Sequence, residues 1–490
     1  MAIPRRARLE VVTEQASVTP LELFFDLVFV FALTQVTGLL AADPTARGLV
    51  RGVLVLAIMW WAWVGYSWLG NVVRADEGLS RVVMFAAMAA LFVAAMTIPE
   101  AFTDEPGGLA GPKVFAVCYF VVRLAHLLLF WIAASASGDD GLRRQLIRWT
   151  PSVITGTVFL LLASQTSGLL QTVLWACALL GDYLGTLLAG ASGWRLNSAG
   201  HFAERHGLMV IVALGESIVS IGVGVSGLAV SWPIVVASVL GLTVAGALWW
   251  AYFDVTSLLA ERALAASRGH HRALMARTAY TFLHLPIVVG VIVLALGLKK
   301  VLGYVGGQDG HTLADHLHGV PLMSLYGGSA MYLLALVAFK YRTIGLLNRA
   351  RLGVGLALPL LIPVAGLLPA LVTLGALALV LVGLIAYETR TYAEIRDHAR
   401  HEPHTSDSHP SDSHAAGRHA SDPQASGPHA SGPQAAGRHA SGPHASGPQA
   451  SGPQAADRQS SDPQASDPEG ADSGSGPRDE PLPRRPEPAG

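Results

Sequence analysis

Asp26, Arg123, Asp182, Glu216 and His284 each lie inside an apolar run long enough to cross a bilayer. An ionisable group at the bilayer centre costs roughly 2.5–3.5 kcal/mol on insertion scales, so each of the five needs a partner, water or a function. Arg123 is the sharpest case, because a guanidinium cannot shed its charge and must meet a carboxylate or water. Tyr119 and His126 share its helical face, four residues before and three after. Asp182, in Leu180-Gly-Asp-Tyr-Leu-Gly185, is one candidate partner, and its flanking glycines allow close helix contact. Glu216, near the middle of its run with Ser220 on its face, is a natural proton carrier or a second partner for Arg123. Asp26 follows Glu22 by about one helical turn, so the two carboxylates can share a proton or hold a cation. Glu22 itself is expected at headgroup level, in contact with water. His284, two residues before Pro286, reads as a hydrogen-bonded packing residue. If Asp26, Arg123, Asp182 and Glu216 converge, they line an acidic, partly hydrated pocket for a small solute or ion.

A second group stands at the mouth of the seventh run, His201-Phe-Ala-Glu-Arg-His206. His201 and Glu204, three residues apart, have the spacing of metal-binding pairs in helical bundles. No third ligand follows at fixed spacing, so the segment reads as a capped helix start facing the headgroups, with Arg205 among the cytoplasmic charges. Cys118 and Cys177 both fall in apolar runs, which leaves no disulfide framework and no zinc finger. No nucleotide-binding loop and no Ser or Cys nucleophile motif is present, so neither a cofactor nor a metal is expected.

The elements that must position these residues follow from composition. The 490 residues are 52% hydrophobic and 14% charged, where soluble domains carry about 25% charge. Such a chain cannot cover a water-exposed globule, and lipid admits only structures that satisfy their own backbone. The runs lack period-two alternation, so the expected fold is an all-α polytopic bundle of about twelve spans. They lie at 20–41, 50–69, 79–98, 112–134, 149–164, 168–190, 207–226, 232–254, 278–298, 321–339, 352–367 and 369–387. The last two could form one bent helix, although Pro359, Pro363 and Pro369 favour a hairpin. The first run lacks a cleavage site of the secretory kind and is expected to remain as a span.

Basic residues alternate from loop to loop. With the N-terminus inside, 21 Lys and Arg fall on the cytoplasmic side and five outside, which predicts both termini in the cytoplasm. Trp60, Trp61, Trp63 and Trp68, with Trp249, Trp250, Tyr252 and Phe253, read as interfacial anchors. The organisation expected is a cytoplasmic segment over 1–19, a membrane domain over 20–400 and a disordered Ala/Ser/Gly/Pro/His/Gln tail over 401–490, which holds almost nothing to bury. A net charge of −1 gives no reason to expect a nucleic-acid partner; membrane lipids and a small solute or ion are the partners implied.

The stretch Leu21-Glu-Leu-Phe-Phe-Asp-Leu-Val-Phe-Val-Phe-Ala-Leu-Thr-Gln35 resembles the opening signature of the bacterial low-temperature-requirement A family. Glu204-Arg-His-Gly-Leu-Met-Val-Ile-Val-Ala-Leu-Gly-Glu-Ser217 is similar to its second hallmark, and Trp249–Phe253 and the Arg123/His126 helix fit as well. The resemblance covers about residues 15–395. It implies a multi-pass bacterial membrane protein associated with growth in the cold, and it carries over no substrate, cofactor or catalytic residue. Laid over each other, the two signatures align Glu22 with Glu204 and Thr34 with Glu216, an arrangement that admits two six-helix halves. The leading functional expectation is a permease of a small solute or ion rather than an enzyme. The alternatives are a membrane-embedded metal-dependent enzyme using His201, Glu204, His206 or His284, and a non-catalytic protein whose buried ion pairs only hold helices together.

Overall fold

In the computed structural model the chain is described over residues 16–391 apart from 75, 77, 191 and 192, together with residues 14 and 393. The tail expected from residue 401 lies outside the described residues. Among the described residues no strand occurs, the isolated bridge between His316 and Pro369 and a bridge position at Val73 apart. The first six spans are α1 (Pro20–Ala42), α2 (Ala46–Gly70), α3 (Gly78–Met96), α4 (Gly111–Ser137), α5 (Asp140–Ala163) and α6 (Gly168–Ala189). Then come α7 (Ala199–Gly224), α8 (Trp232–Phe253) and the short α9 (Thr256–Ala266) and α10 (Gly269–Met275). A π-helical turn over Ala276–Phe282 leads into α11 (His284–Val305), followed by α12 (Gly319–Ile344), α13 (Arg349–Ala365) and α14 (Ala370–Thr391).

Among the described residues, eleven segments are long and apolar enough to cross a membrane. The twelfth expected span is α13, which at 17 residues covers about 26 Å. It nevertheless returns the chain across the bundle. At its start Arg351 grips Glu388 near the end of α14, and past its end the Ala370 amide donates to the Asp315 carbonyl in the loop that precedes α12. Pro359 and Pro363 lie inside α13, so the hairpin turn forms later, at Gly366–Pro369.

The twelve passes pack as two halves with one neighbour pattern. In the first, α1 rests on α2 and α3, α3 on α4, α4 on α5, α5 on α6, and α6 on α2. In the second, α7 rests on α8 and α11, α11 on α12, α12 on α13, α13 on α14, and α14 on α8. Side chains that face outward from α3, α4, α5 and α6 are mostly Leu, Val, Ile and Phe, an apolar exterior suited to lipid and unsuited to water. The chain is a multi-pass membrane protein. Trp249 and Trp250 are exposed on that exterior, as interfacial anchors would be. Trp60, Trp61, Trp63 and Trp68 are instead buried between helices, which corrects the expectation that they mark an interface.

With no hydrophobic effect between helices in lipid, close packing must hold the bundle together. One close backbone crossing is α11 on α12, where a Cβ on Gly328 would come within 2.5 Å of the Leu294 nitrogen. Gly328→Val is therefore expected to cost about 1–3 kcal/mol or more and to lower the thermal unfolding midpoint in detergent. Gly327→Ala, with open space around it, should leave the midpoint where it is.

Candidate functional site

The helix that matters most begins earlier than hydropathy places it. Ser198 caps α7, its hydroxyl accepting the His201 amide at 3.2 Å, so His201 and Arg205 fall inside the helix rather than ahead of a span starting at 207. Both point into the bundle, toward α1. Arg205 Nη1 donates to Glu22 Oε1 at 2.8 Å and Nη2 to Asp26 Oδ1 at 2.8 Å. The arginine is 0% exposed, Glu22 1% and Asp26 3%. Two expectations are corrected here. Glu22 is not a wet headgroup residue, and Arg205 is not a loop charge.

The surrounding bonds define protonation. Asn71, at the end of α2, accepts the amides of Asn197 and Ser198 on its oxygen. Its nitrogen must then be the donor to the Ser198 carbonyl and to His201 Nδ1, at 2.6 and 3.4 Å. That leaves His201 Nε2–H to donate to Glu22 Oε2 at 3.0 Å, so the ring is the neutral tautomer. Thr19 closes a capping box on the same Glu22 oxygen. From α2, Trp63 Nε1 donates to Asp26 Oδ1 at 2.8 Å. Gly70 passes so close that any Cβ there would overlap Glu22 Oε1. Two carboxylates thus share one guanidinium and a neutral imidazole, an excess of one negative charge. Asp26 Oδ2 is buried without a hydrogen-bond partner.

Higher along the same seam, Glu216 of α7 accepts from Thr34 of α1 at 2.6 Å and from its own helix's Ser220 at 3.1 Å. Asp26 and Thr34 are eight residues apart, about 12 Å along the axis. Between these polar layers Phe29, Leu33, Met209, Val210 and Ala213 are fully buried. Arg205 meets Asp26 and Glu216 meets Thr34 in the same chain sense, so α1 and α7 run parallel, joining equivalent positions of the two halves.

Arg123 is elsewhere. Its Nη2 donates to Asp182 Oδ1 at 3.1 Å, and Asp182 also accepts Tyr119 Oη at 2.5 Å and Ser152 Oγ at 3.2 Å. The guanidinium stacks 4.5 Å from the Trp149 ring. His126 packs against Tyr66, Phe130 and Trp149. The single pocket conceived for Asp26, Arg123, Asp182 and Glu216 is therefore divided into three clusters. Arg123 pairs with Asp182 and Arg205 with Glu22 and Asp26, while Glu216 meets the hydroxyls of Thr34 and Ser220.

His284 accepts or donates at 2.8 Å with Tyr252 Oη and lies 5.1 Å, ring to ring, from His206, inside a cage of Tyr280 and Phe339. Glu204 is exposed and accepts the Val18 amide at 3.3 Å, so it turns away from His201 and the two do not form the metal pair their spacing allows. A second ion pair that sequence reading missed, besides Arg205 with Glu22 and Asp26, is Arg351 holding Glu388 with bonds of 2.7 Å from Nε and Nη2, to which Asn348 adds another at 2.7 Å. The only sequence signal was a glutamate near the end of the last apolar run.

A model of the bacterial low temperature requirement A protein matches residues 17–386, and the chain belongs to that family. An uncharacterized protein of Rhizobium meliloti (strain 1021) is 33% identical over 325 residues, covering 64% of this chain and 77% of the relative. No solved structure matches the chain.

Removing one member of a buried ion pair strands the other. Arg205→Leu is expected to cost on the order of 3–5 kcal/mol, read as a lower thermal midpoint of the purified protein. Adding Glu22→Gln and Asp26→Asn to the same chain should recover most of the loss. An unchanged midpoint in the single variant would show that water reaches the pair.

Proposed function

We propose that this protein is a permease of the bacterial inner membrane that moves a small solute or ion, with Asp26 as the site that takes up a proton or a small cation. The observation that carries the reading is the buried, unpartnered Asp26 Oδ2 beside a guanidinium already divided between two carboxylates. In a low-dielectric interior an uncompensated negative charge is expensive, and a proton or cation is the inexpensive way to remove it. Parallel α1 and α7, drawn from two halves of like packing, supply the second requirement. In repeat-built transporters the coupling site lies where the halves meet, and one half rocks against the other around it. The apolar layer of Phe29, Leu33, Met209 and Ala213 would be the closed barrier between that site and the Glu216 layer. The 21-to-five distribution of basic residues supports cytoplasmic termini, which puts the Glu22–Arg205 layer on the cytoplasmic half.

The metal-dependent enzyme is less well supported, because His201 and Glu204 engage different partners. The purely structural alternative accounts for Arg123–Asp182, where charges balance one to one, but leaves the excess charge at Asp26 without a role.

In proteoliposomes carrying a trapped pH-sensitive dye and an imposed potassium diffusion potential, the wild-type protein is expected to take up protons, or sodium in a parallel tracer assay. Asp26→Asn should lose most of this uptake while keeping its thermal midpoint, since the amide still accepts from Arg205 and Trp63. Wild-type rates in that variant, or no uptake of either ion by the wild type, would overturn the coupling role.

A further inference from the structure

Five carboxylates are buried among the described residues: Glu22, Asp26, Asp182, Glu216 and Glu388. Four of them touch a guanidinium, Glu22 and Asp26 that of Arg205, Asp182 that of Arg123 and Glu388 that of Arg351. Glu216, 2% exposed, is the exception. Its hydrogen bonds come from two hydroxyls, Thr34 Oγ1 on Oε2 and Ser220 Oγ on Oε1. Lys299 of α11 acts on it only at longer range. Toward that end of the seam α1 and α8 carry no ionisable side chain.

A carboxylate out of reach of both water and a cation is strongly unfavourable, and the group sheds its charge by taking a proton. The bonds around Glu216 are arranged for that. Thr34 has one hydroxyl hydrogen and two acceptors in reach, Glu216 Oε2 at 2.6 Å and the Val30 carbonyl at 3.3 Å. With the carboxylate ionised, Thr34 donates to Oε2. With it protonated, the new Oε2–H donates to Thr34 Oγ1, the Thr34 hydrogen turns to the Val30 carbonyl, and Ser220 still donates to Oε1. One proton is added, one negative charge disappears, and no heavy atom has to move.

Depth separates this acid from the first one. Asp26 lies six residues after Pro20, at the start of α1, and Glu216 eight residues before Gly224, at the end of the parallel α7. Between their levels stand the apolar side chains of Phe29, Leu33, Met209, Val210 and Ala213. We infer that Glu216 is a second proton-binding site, on the outer side of that layer, with Thr34 as the hydroxyl that reverses its hydrogen bond as the proton comes and goes. Its role, exchanging protons with the outer face while Asp26 serves the inner one, rests on the permease reading; the bound proton does not.

The test is infrared spectroscopy of the purified full chain in detergent at neutral pH, joined to the proteoliposome assay. A protonated-carboxyl stretch is expected in the wild type; Glu216→Gln should remove it and Asp26→Asn should keep it. Thr34→Val takes away the acceptor of the Glu216 O–H and should shift the band to higher frequency. In proteoliposomes Glu216→Gln should take up protons no faster than protein-free vesicles, with its thermal midpoint kept, since the amide donates to Thr34 in place of the acid. A carboxyl region left unchanged by Glu216→Gln overturns the site. Wild-type uptake by Glu216→Gln, where Asp26→Asn has lost it, overturns the outer role and leaves that of Asp26 intact. A wild type without uptake removes the permease, and the infrared band then decides the Glu216 proton alone. If Glu216→Gln does not fold, Thr34→Val decides: a band that stays in place overturns the site.

Discussion

A guanidinium held between two carboxylates, with every one of its neighbours out of reach of water, is the constraint around which this bundle is organised. Arg205 reaching Glu22 and Asp26 while Glu216 reaches Thr34 sets α7 parallel to α1 and in one axial register. Thr34 then meets Glu216 without further adjustment, since the separations along the two helices nearly match. Parallel neighbours cannot be joined by a short loop. The chain must cross the membrane an odd number of times between them, and the five helices α2 to α6 supply those crossings. The contact also sets the halves against each other, because α1 and α7 hold the same place in their respective neighbour patterns. Asn71 and Trp63 of α2 complete the layer from a third side, so α2 must be enclosed on all faces, and its tryptophans serve the interior.

Much of this fold is legible in the sequence, and the reasons for the rest are specific. Span number, the all-helical class and the Arg123–Asp182 pair follow from hydropathy and from the rule that a buried arginine needs an acid. Arg205 does not, because a hydropathy window starts where charges stop, at Gly207, whereas the helix starts where its cap is, at Ser198. Glu22 was misjudged for the same reason, since depth was counted from the first apolar residue and the partner lies 183 positions away. The four tryptophans of α2 have the composition of an interfacial belt. Only the neighbours that surround α2 decide otherwise. The pooled pocket failed through a different physical effect. In a medium of low dielectric a charge pairs at the shortest available range, so several isolated acids and bases sort into local clusters rather than gather in one.

The π turn is where α2 is tied to the second half of the bundle. A π bulge leaves carbonyls without their usual partners, and Pro286 removes one more amide from the following turn. Here α2 supplies the replacement. Trp60 Nε1 donates to the Thr281 carbonyl at 3.1 Å and Trp68 Nε1 to its hydroxyl at 2.9 Å. Trp63, from the same stretch of α2, holds Asp26, and Trp61 and Trp68 wall a cavity beside Arg277. Any shift of α2 that followed neutralisation of Asp26 would pull on Thr281 and change the shape of the cavity at once. A regular helix at 276–282 would satisfy its own carbonyls and need none of these indole bonds. The irregular turn is what ties the third span of the second half to the acids of the first.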